Sequence, residues 1–195
     1  MKGDYVFTSE SVTLGHPDKL CDQVSDAIVD TFLKGDPSSS IVAECALSSG
    51  VMFISAHYTS QTIFDIQGVA RDVIRAVGYS PQEFNADDCT ILTSFKNHTA
   101  TDYRPMDLDE LDNTQLDRIT AKHPATLFGY ACDQTKALMP LPIWLAHRLA
   151  DRLDSPAVKK KLPYLLPDGK AQVAIEYVDG KAERIVGQSA RERTD

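Results

Sequence analysis

A regular hydrophobic pattern near the start of the sequence has helical spacing. Apolar residues recur three or four positions apart after the His16-Pro17 pair, and carboxylates four positions apart occupy another face. Proline fits the first helical position, and Gly35, Asp36 and Pro37 are typical of a helix end. The pattern predicts an amphipathic helix from Pro17 to about Gly35. Its apolar face consists of Leu20, Val24, Ala27, Ile28, Thr31 and Phe32.

Two pairs of segments alternate at strand spacing and are joined by turn residues. SIVAECAL and VMFISAHY flank Ser48-Ser49-Gly50, and KAQVAIEYV and KAERIVGQS flank Asp179-Gly180. Asp-Gly favours a type I′ turn, because that turn needs positive φ at both central residues. Each pair is therefore predicted to form a β-hairpin.

The remaining apolar patterns complete an α+β protein. A second helix is predicted over Ile66–Val77, closed by Gly78, and a third over MPLPIWLAHRLADRLD, entered through Pro140 and Pro142. CTILTSF and LFGYACD are predicted to be strands. This order indicates small antiparallel or mixed sheets with helices on one face.

Composition divides the chain into three parts. Residues 1–95 form a first α+β unit, residues 96–126 are polar and irregular, and residues 127–195 form part of a second unit. A polar segment of that length is either a functional loop or lid, or a mobile connection.

Charge and cysteine content narrow the function classes. The chain has 20 Lys and Arg and 28 Asp and Glu, which gives a formal net charge of −8. This acidic balance disfavours nucleic-acid binding. No apolar run approaches the roughly 20 residues of a membrane span, and the N-terminus shows no apolar signal core. Four scattered cysteines without a CxxC pair are expected to be buried free thiols. We expect a cytoplasmic protein without a membrane partner.

The segment Gly15-His16-Pro17-Asp18-Lys19 carries the strongest chemical signal. The N–H groups at a helix N-terminus favour an anion, and Lys19 adds a positive charge. His16 can donate a hydrogen bond, and Asp18 can hold Mg²⁺ that bridges phosphates. The alternative is a capped helix with solvated side chains.

Two further positions carry weaker signals. Pro167-Asp168-Gly169-Lys170 is predicted to be a turn that delivers Lys170 to the start of a strand, where it could neutralise a polyphosphate; a plain hairpin entry is the alternative. Glu44 lies within an apolar strand. Burying an unpaired carboxylate is costly, so Glu44 either binds a cation or points outward.

Several motifs together resemble the S-adenosylmethionine synthetase, or methionine adenosyltransferase, family. The resemblance runs in order over nearly the whole chain. It is carried by FTSESVTLGHPDKLCDQVSDAIVD, AECAL, GVMFISAHYT, DIQGVARDVIRAVGY, LFGYACDQT, LMPLPIWLAHRL and LPYLLPDGKAQV. It implies α+β layers and a reaction in which the methionine sulfur displaces the triphosphate of ATP, which is then hydrolysed to phosphate and diphosphate.

The resemblance also implies roles for individual residues. His16, Lys19 and Lys170 would be catalytic, and His16, Lys19, Asp168, Gly169 and Lys170 would contact ATP. Asp18 would bind Mg²⁺, and Glu44 would bind a monovalent cation, K⁺.

The sequence departs from the family at the amino-acid end of the site. His57 replaces a glutamate that holds the methionine amino group, His98 replaces a glutamine, and TAKHPA replaces a Gly-rich GAGDQG motif. The second half of the family sequence, with further phosphate-binding residues, is missing. The first hypothesis is a synthetase subunit in a hetero- or homo-oligomer whose partner supplies that half. The second is a non-catalytic regulatory or interaction subunit of a full-length synthetase.

Overall fold

Eleven helices and strands form in the described parts of the chain, which are residues 3–79, 84–98, 111–118 and 126–194 of a computed structural model. The helices are α1 (Pro17–Gly35), α2 (Ile66–Val77), α3 (Asn113–Leu116), α4 (Leu141–Leu153) and α5 (Pro156–Lys161). The strands are β1 (Tyr5–Val12), β2 (Ser40–Ser48), β3 (Val51–Thr59), β4 (Thr90–Asn97), β5 (Leu165–Val178) and β6 (Lys181–Thr194).

The first layer is a mixed sheet of order β2-β3-β4 covered on one face by α1 and α2. The predicted hairpin between β2 and β3 is confirmed, and its turn residues Ser49 and Gly50 both have positive φ. Strand β4 runs parallel to β3, with α2 between them in the chain. Gly78 ends α2 in the left-handed conformation, as predicted.

Helix α1 buries the apolar face that its sequence predicts. Leu20, Val24, Ile28 and Phe32 are all 0–1% exposed against β3 and α2. The Phe32 ring contacts the rings of Tyr58 and Phe64 at centroid distances of 4.9 Å and 5.2 Å. This packing fixes the direction of α1 and therefore the position of its N-terminus.

The second layer is an antiparallel sheet of order β1-β5-β6 with α4 on one face. Its core joins Ala146 of α4 to Val173, Ile175 and Tyr177 of β5. The hairpin between β5 and β6 is confirmed, because Asp179 and Gly180 both have positive φ in its turn. The α+β fold class with small antiparallel and mixed sheets is thus confirmed.

Three local features differ from the sequence predictions. The N-terminal strand β1 is not predicted, although it pairs with β5 along its whole length. LFGYACD is not a strand, and Leu127 and Phe128 are more than nine-tenths exposed. The predicted Pro167–Lys170 turn is wrong as well, because these residues lie inside β5 at an irregularity in its pairing with β6.

The division of the chain at residues 95 and 127 stays a prediction. The structure adds that β1, although first in the chain, belongs to the later sheet. Most of the segment 96–126 lies outside the described residues, and so does its proposed role as a lid. In the described part of the chain, no helix is long and apolar enough to cross a membrane. All four cysteines are free; Cys89 is buried and the other three are partly buried.

Candidate functional site

Two sequence motifs more than one hundred residues apart meet where α1 begins. The backbone N–H of Thr13 donates to the Gly169 carbonyl at 2.9 Å, and the N–H of Gly15 donates to the Pro167 carbonyl at 3.1 Å. The Thr13 hydroxyl donates to the Pro167 carbonyl at 2.6 Å and accepts from the Gly169 N–H at 2.6 Å. These bonds hold the start of α1 against the irregular part of β5.

Only glycine fits at position 15. A Cβ atom built on Gly15 would lie 2.3 Å from the Pro167 Cβ and 2.5 Å from the Pro167 carbonyl carbon and oxygen. The obstructing atoms belong largely to the backbone and the proline ring, so they cannot rotate away. The Gly15 carbonyl also accepts a hydrogen bond from the Tyr79 hydroxyl. Gly15 therefore permits the close approach of the two motifs.

His16 caps α1 with one ring nitrogen. Its Nδ1 accepts from the Asp18 backbone N–H at 3.3 Å, and its side chain is 25% exposed. A neutral imidazole whose Nδ1 accepts carries its proton on Nε2. The cap therefore leaves Nε2–H of neutral His16 available as a donor.

Asp18 and Lys19 extend from the first turn of α1 towards solvent. The Asp18 side chain is 93% exposed, and Lys19 is also exposed. Both border a cavity of about 530 Å³ that is also lined by Glu10 of β1 and His147 of α4. The helix N-terminus and Lys19 favour an anion, whereas the carboxylates in the lining oppose one. Those carboxylates are Glu10, Asp18, Asp22, Asp151 and Asp154.

Lys170 lies on the outer face of the second sheet, next to an acidic partner. Its Nζ forms a 2.6 Å ion pair with Glu10 of β1. The residue of β1 that pairs directly with Lys170 is Val12, two positions further along the strand. Gly169 is buried and Asp168 is half-buried. The structure therefore places Asp168, Gly169 and Lys170 next to the segment that leads into α1.

Glu44 points away from the core, on the exposed face of the first sheet, so the cost of burying an unpaired carboxylate, which favoured a bound cation, does not arise. It pairs directly with Ser55 of β3, which in turn pairs with Ser94 of β4. Residues paired in this way have side chains on the same face. The result is a row of a carboxylate and two hydroxyls, all oxygen ligands of the kind that hard cations prefer.

His57 and His98 lie together near one end of the same sheet. Their rings are 6.0 Å apart between centroids with an interplanar angle of 28°. His57 is exposed and pairs with Lys96, and the His98 N–H donates to the Tyr58 carbonyl at 2.8 Å. The structure thus brings together the two positions where the sequence departs from the family. His123, within the altered TAKHPA segment, lies outside the described residues.

The described residues contain no preformed metal site. No three of their His, Cys, Asp or Glu side chains are placed to hold one ion. Mg²⁺ often binds through one or two carboxylates together with substrate phosphates and water. The exposed Asp18 fits that mode of binding, and the Glu44 row fits a cation held by oxygen atoms.

Cys21, on α1 beyond the motif, is not a candidate nucleophile. Burial raises the pKa of its thiol to about 11, with smaller contributions from Cys45, Asp18 and Asp22. The thiolate is the reactive form, so Cys21 remains protonated and unreactive at neutral pH.

Two residues that organise this region are not predicted from the sequence. Thr13 is 1% exposed and links both motifs, and Glu10 pairs with Lys170. Both lie within the FTSESVT segment. The aromatic and β-branched residues of Tyr5–Val12 favour a strand, but its pairing with β5 joins residues too distant to be inferred from local pattern.

The fold and the joined motifs define a two-layer α+β protein in which the capped N-terminus of α1 meets the irregular part of β5. Comparison with known families identifies the family to which this fold belongs. The model of the N-terminal domain of S-adenosylmethionine synthetase matches residues 4–100, and the model of its central domain matches residues 118–188. The chain belongs to the S-adenosylmethionine synthetase family.

Curated relatives agree with this assignment over much of the chain. The chain is 45% identical over 181 residues to an S-adenosylmethionine synthase of Parasynechococcus marenigrum, 43% over 180 residues to one of Prochlorococcus marinus, and 42% over 184 residues to one of Thermosynechococcus vestitus. These alignments cover 90–91% of this chain but 43–44% of each relative. The chain thus spans less than half the length of the curated relatives it matches.

Proposed function

We propose that the chain is a subunit of an S-adenosylmethionine synthetase. The complex would transfer the adenosyl group of ATP to the sulfur of methionine or of a related thioether amino acid. The sulfur forms a bond to ribose C5′, the bond from C5′ to the triphosphate oxygen breaks, and the triphosphate is hydrolysed to phosphate and diphosphate. The observation that carries this proposal is the joining of the α1 N-terminus to the segment that precedes Lys170.

The triphosphate would bind at this junction. Nε2–H of His16 would donate to the departing oxygen, because its Nδ1 is engaged by the Asp18 N–H. Lys19 and Lys170 would offset negative charge on the phosphates, and Asp168 and Gly169 would contact ATP. Glu10 orients Lys170 before ATP binds. Preorganised donors and cations are effective because leaving-group charge develops where they already point.

Two cations are part of the proposal. Asp18 would hold Mg²⁺ together with phosphate oxygens, and Glu44, with the hydroxyls of Ser55 and Ser94, would hold K⁺. When bound at Asp18, Mg²⁺ would supply positive charge to a strongly anionic leaving group.

His57 and His98 would contact the amino-acid substrate. Neither imidazole can provide the permanent negative charge with which a glutamate binds an ammonium group. We therefore propose a preference among thioether amino acids that differs from that of an ordinary synthetase. Matching profiles for methionine and its analogues would contradict this part of the proposal.

Activity would require the part of the synthetase fold that the relatives carry beyond the matched region. The chain covers 43% of a relative's length, and in this proposal a partner supplies the rest of the fold. The alternative proposal is a regulatory subunit that binds a full-length synthetase without catalysing the reaction.

The test is S-adenosylmethionine formation from ATP, Mg²⁺, K⁺ and methionine, measured for the purified chain with its co-purifying partner. We expect His16→Asn to lower turnover by at least about a hundredfold while assembly is retained, because the asparagine oxygen can keep the cap on the Asp18 N–H but places no donor where Nε2–H lies. Gln67→Ala is the control, since Gln67 is exposed on α2 and does not line the cavity. This variant should keep its turnover.

The regulatory alternative predicts a different result. The chain would form a stable complex with a full-length synthetase, and His16→Asn would leave the activity of that complex unchanged. This result would overturn the catalytic proposal.

A further inference from the structure

Two histidine side chains lie at one end of the first sheet, on the face away from the helices. In β3, the buried residues Ile54 and Ala56 alternate with outward-facing positions, and His57 belongs to the outward set. The His98 N–H donates to the Tyr58 carbonyl at 2.8 Å, which continues the pairing of β3 and β4 just beyond the end of β4. The sheet therefore brings together two imidazoles that are distant in the chain.

The distance between the two rings fits a shared metal ion. Their centroids are 6.0 Å apart. Two imidazoles bound to one ion have centroids roughly 4.5–6.4 Å apart, because each metal–nitrogen bond is about 2.0–2.1 Å long. Among the described residues, the rings contact each other, and no hydrogen bond engages their ring nitrogens. A nitrogen of each ring is therefore available as a ligand.

Opposite charges flank the pair on the same face of the sheet. Lys96 pairs directly with His57 across β3 and β4, and its exposed ammonium would oppose a cation. Glu44 lies in the adjacent row, opposite Ser55, and its exposed carboxylate would attract one. The donor atoms therefore decide which ion fits. Imidazole nitrogens suit divalent zinc, copper and nickel, whereas Mg²⁺ prefers oxygen ligands.

A metal ion held by two imidazoles keeps positions open for a further ligand. The amine nitrogen and a carboxylate oxygen of an amino acid can occupy two of these positions together. The ammonium proton passes to solvent when the amine binds, because a metal coordinates the unprotonated nitrogen. A neutral imidazole by itself does not attract an ammonium group. A metal ion on the pair would give these two positions a way to hold the amino end of a substrate.

We infer that His57 and His98 bind a divalent transition-metal ion through one nitrogen each, and that this ion binds the amine and carboxylate of the amino-acid substrate. The chain supplies two of the ligands, and the substrate and water supply the others. The metal site stands on the placement of the two rings. The identity of its ligand rests on the proposed function. Metal binding can therefore be tested without catalysis.

The first experiment titrates the full chain with Ni²⁺ alone, by calorimetry in the presence of excess Mg²⁺. We expect saturable Ni²⁺ binding that Mg²⁺ does not displace. His57→Ala and His98→Ala should each weaken it by at least about tenfold, because each removes one of the two protein ligands. His147→Ala is the matched control, since His147 is also an exposed histidine but lies on α4 in the other layer. Equal Ni²⁺ affinity in the unsubstituted chain and in both pair variants would overturn the site.

The second experiment identifies the ligand of the bound ion. Equilibrium dialysis of labelled methionine against the full chain measures the methionine that the chain itself holds. We expect an equimolar amount of Ni²⁺ to raise chain-bound methionine at least about tenfold, and His57→Ala to abolish the increase. The matched ligand is 3-(methylthio)propionate, which has the thioether and the carboxylate but no amine. Its binding should not show a comparable increase.

The outcomes separate the metal site from the proposed function. Ni²⁺ binding that leaves methionine binding unchanged, or that raises the binding of both compounds equally, would overturn the assignment of the ligand. S-adenosylmethionine formation by a complex whose chain binds no Ni²⁺ at the pair would overturn the inference and preserve the proposed function. A chain that holds Ni²⁺ and methionine as expected, in a complex that makes no product, would support the inference and count against the function.

Discussion

At the scale of single residues, Thr13 connects the start of α1 to β5. It is the buried polar residue among the described positions, and its hydroxyl reaches both the Pro167 carbonyl and the Gly169 N–H. A buried hydroxyl with good partners contributes modestly, whereas a buried donor that loses its acceptor costs considerably more. Thr13 therefore couples the start of α1 to β5 through polar contacts that exclude water.

Thr13→Val should destabilise the protein by about 1–3 kcal/mol, because the valine keeps the shape but leaves the Gly169 N–H without its acceptor. Urea unfolding at neutral pH measures this loss. Thr31→Val is the matched control, since the Thr31 hydroxyl bonds only the Ala27 carbonyl within its own helix in the described structure. We expect the control to change stability by less than about 0.5 kcal/mol. Equal losses of stability in both variants would show that the Thr13 hydrogen bonds contribute no more than an ordinary hydrogen bond within a helix.

Asp36 gives a second prediction at this scale. It accepts hydrogen bonds from the Gln61 N–H at 2.9 Å and from the Ser38 hydroxyl at 2.6 Å. These bonds, that from Gln61 foremost, hold the pKa of Asp36 well below its ordinary value of 3.8. Its contribution to stability is therefore present above that ordinary value and is lost as pH falls towards the lowered pKa.

Asp36→Asn should accordingly be less stable than the unsubstituted chain at about pH 6, and the difference should shrink by about pH 2.5. Urea midpoints across this range measure it. Asp30→Asn, at an exposed position of α1, controls for the loss of one negative charge. If the stability difference between Asp36→Asn and the unsubstituted chain stays constant with pH, the lowered pKa of Asp36 does not contribute to stability as expected.

At the scale of elements, sequence pattern was sufficient where the deciding contacts are local. Helix α1 and both hairpins follow from apolar spacing, caps and turn residues within the elements themselves. β1 escaped prediction because its partner, β5, is distant in the chain. The Pro167–Lys170 turn failed for the same reason, since bonds from Thr13 and Gly15 hold these residues inside β5.

The candidate site shows the same division. The motif around His16 was recognisable because a helix N-terminus and its charged residues lie within five consecutive positions. Local pattern could not show that Glu10 pairs with Lys170 or that Ser55 and Ser94 align with Glu44. Those contacts depend on strand register, which is set by tertiary pairing.

At the scale of the whole molecule, exposed apolar side chains lie on both sheets within the described residues. On the second sheet, Ile185 borders a groove with Leu141 and Leu145 of α4. On the outward face of the first sheet, Val42, Phe53 and Leu92 are 51%, 46% and 51% exposed. Phe53 and Leu92 are direct cross-strand neighbours, so this face is continuous. Contiguous exposed apolar surface is typical of protein interfaces, and we expect this outward face to mediate association between copies of the chain.

Phe53→Asp should therefore weaken self-association by at least about tenfold, because a desolvated carboxylate would face apolar side chains in the assembly. Sedimentation at several concentrations measures the change against a chain mass of 21.5 kDa. Ile63→Asp is the control, since Ile63 is 85% exposed, and Ile185→Asp should leave this association intact because it lies on the other sheet. Self-association that Phe53→Asp leaves unchanged, or that Ile185→Asp weakens equally, would contradict the assignment of the interface to the outward face of the first sheet.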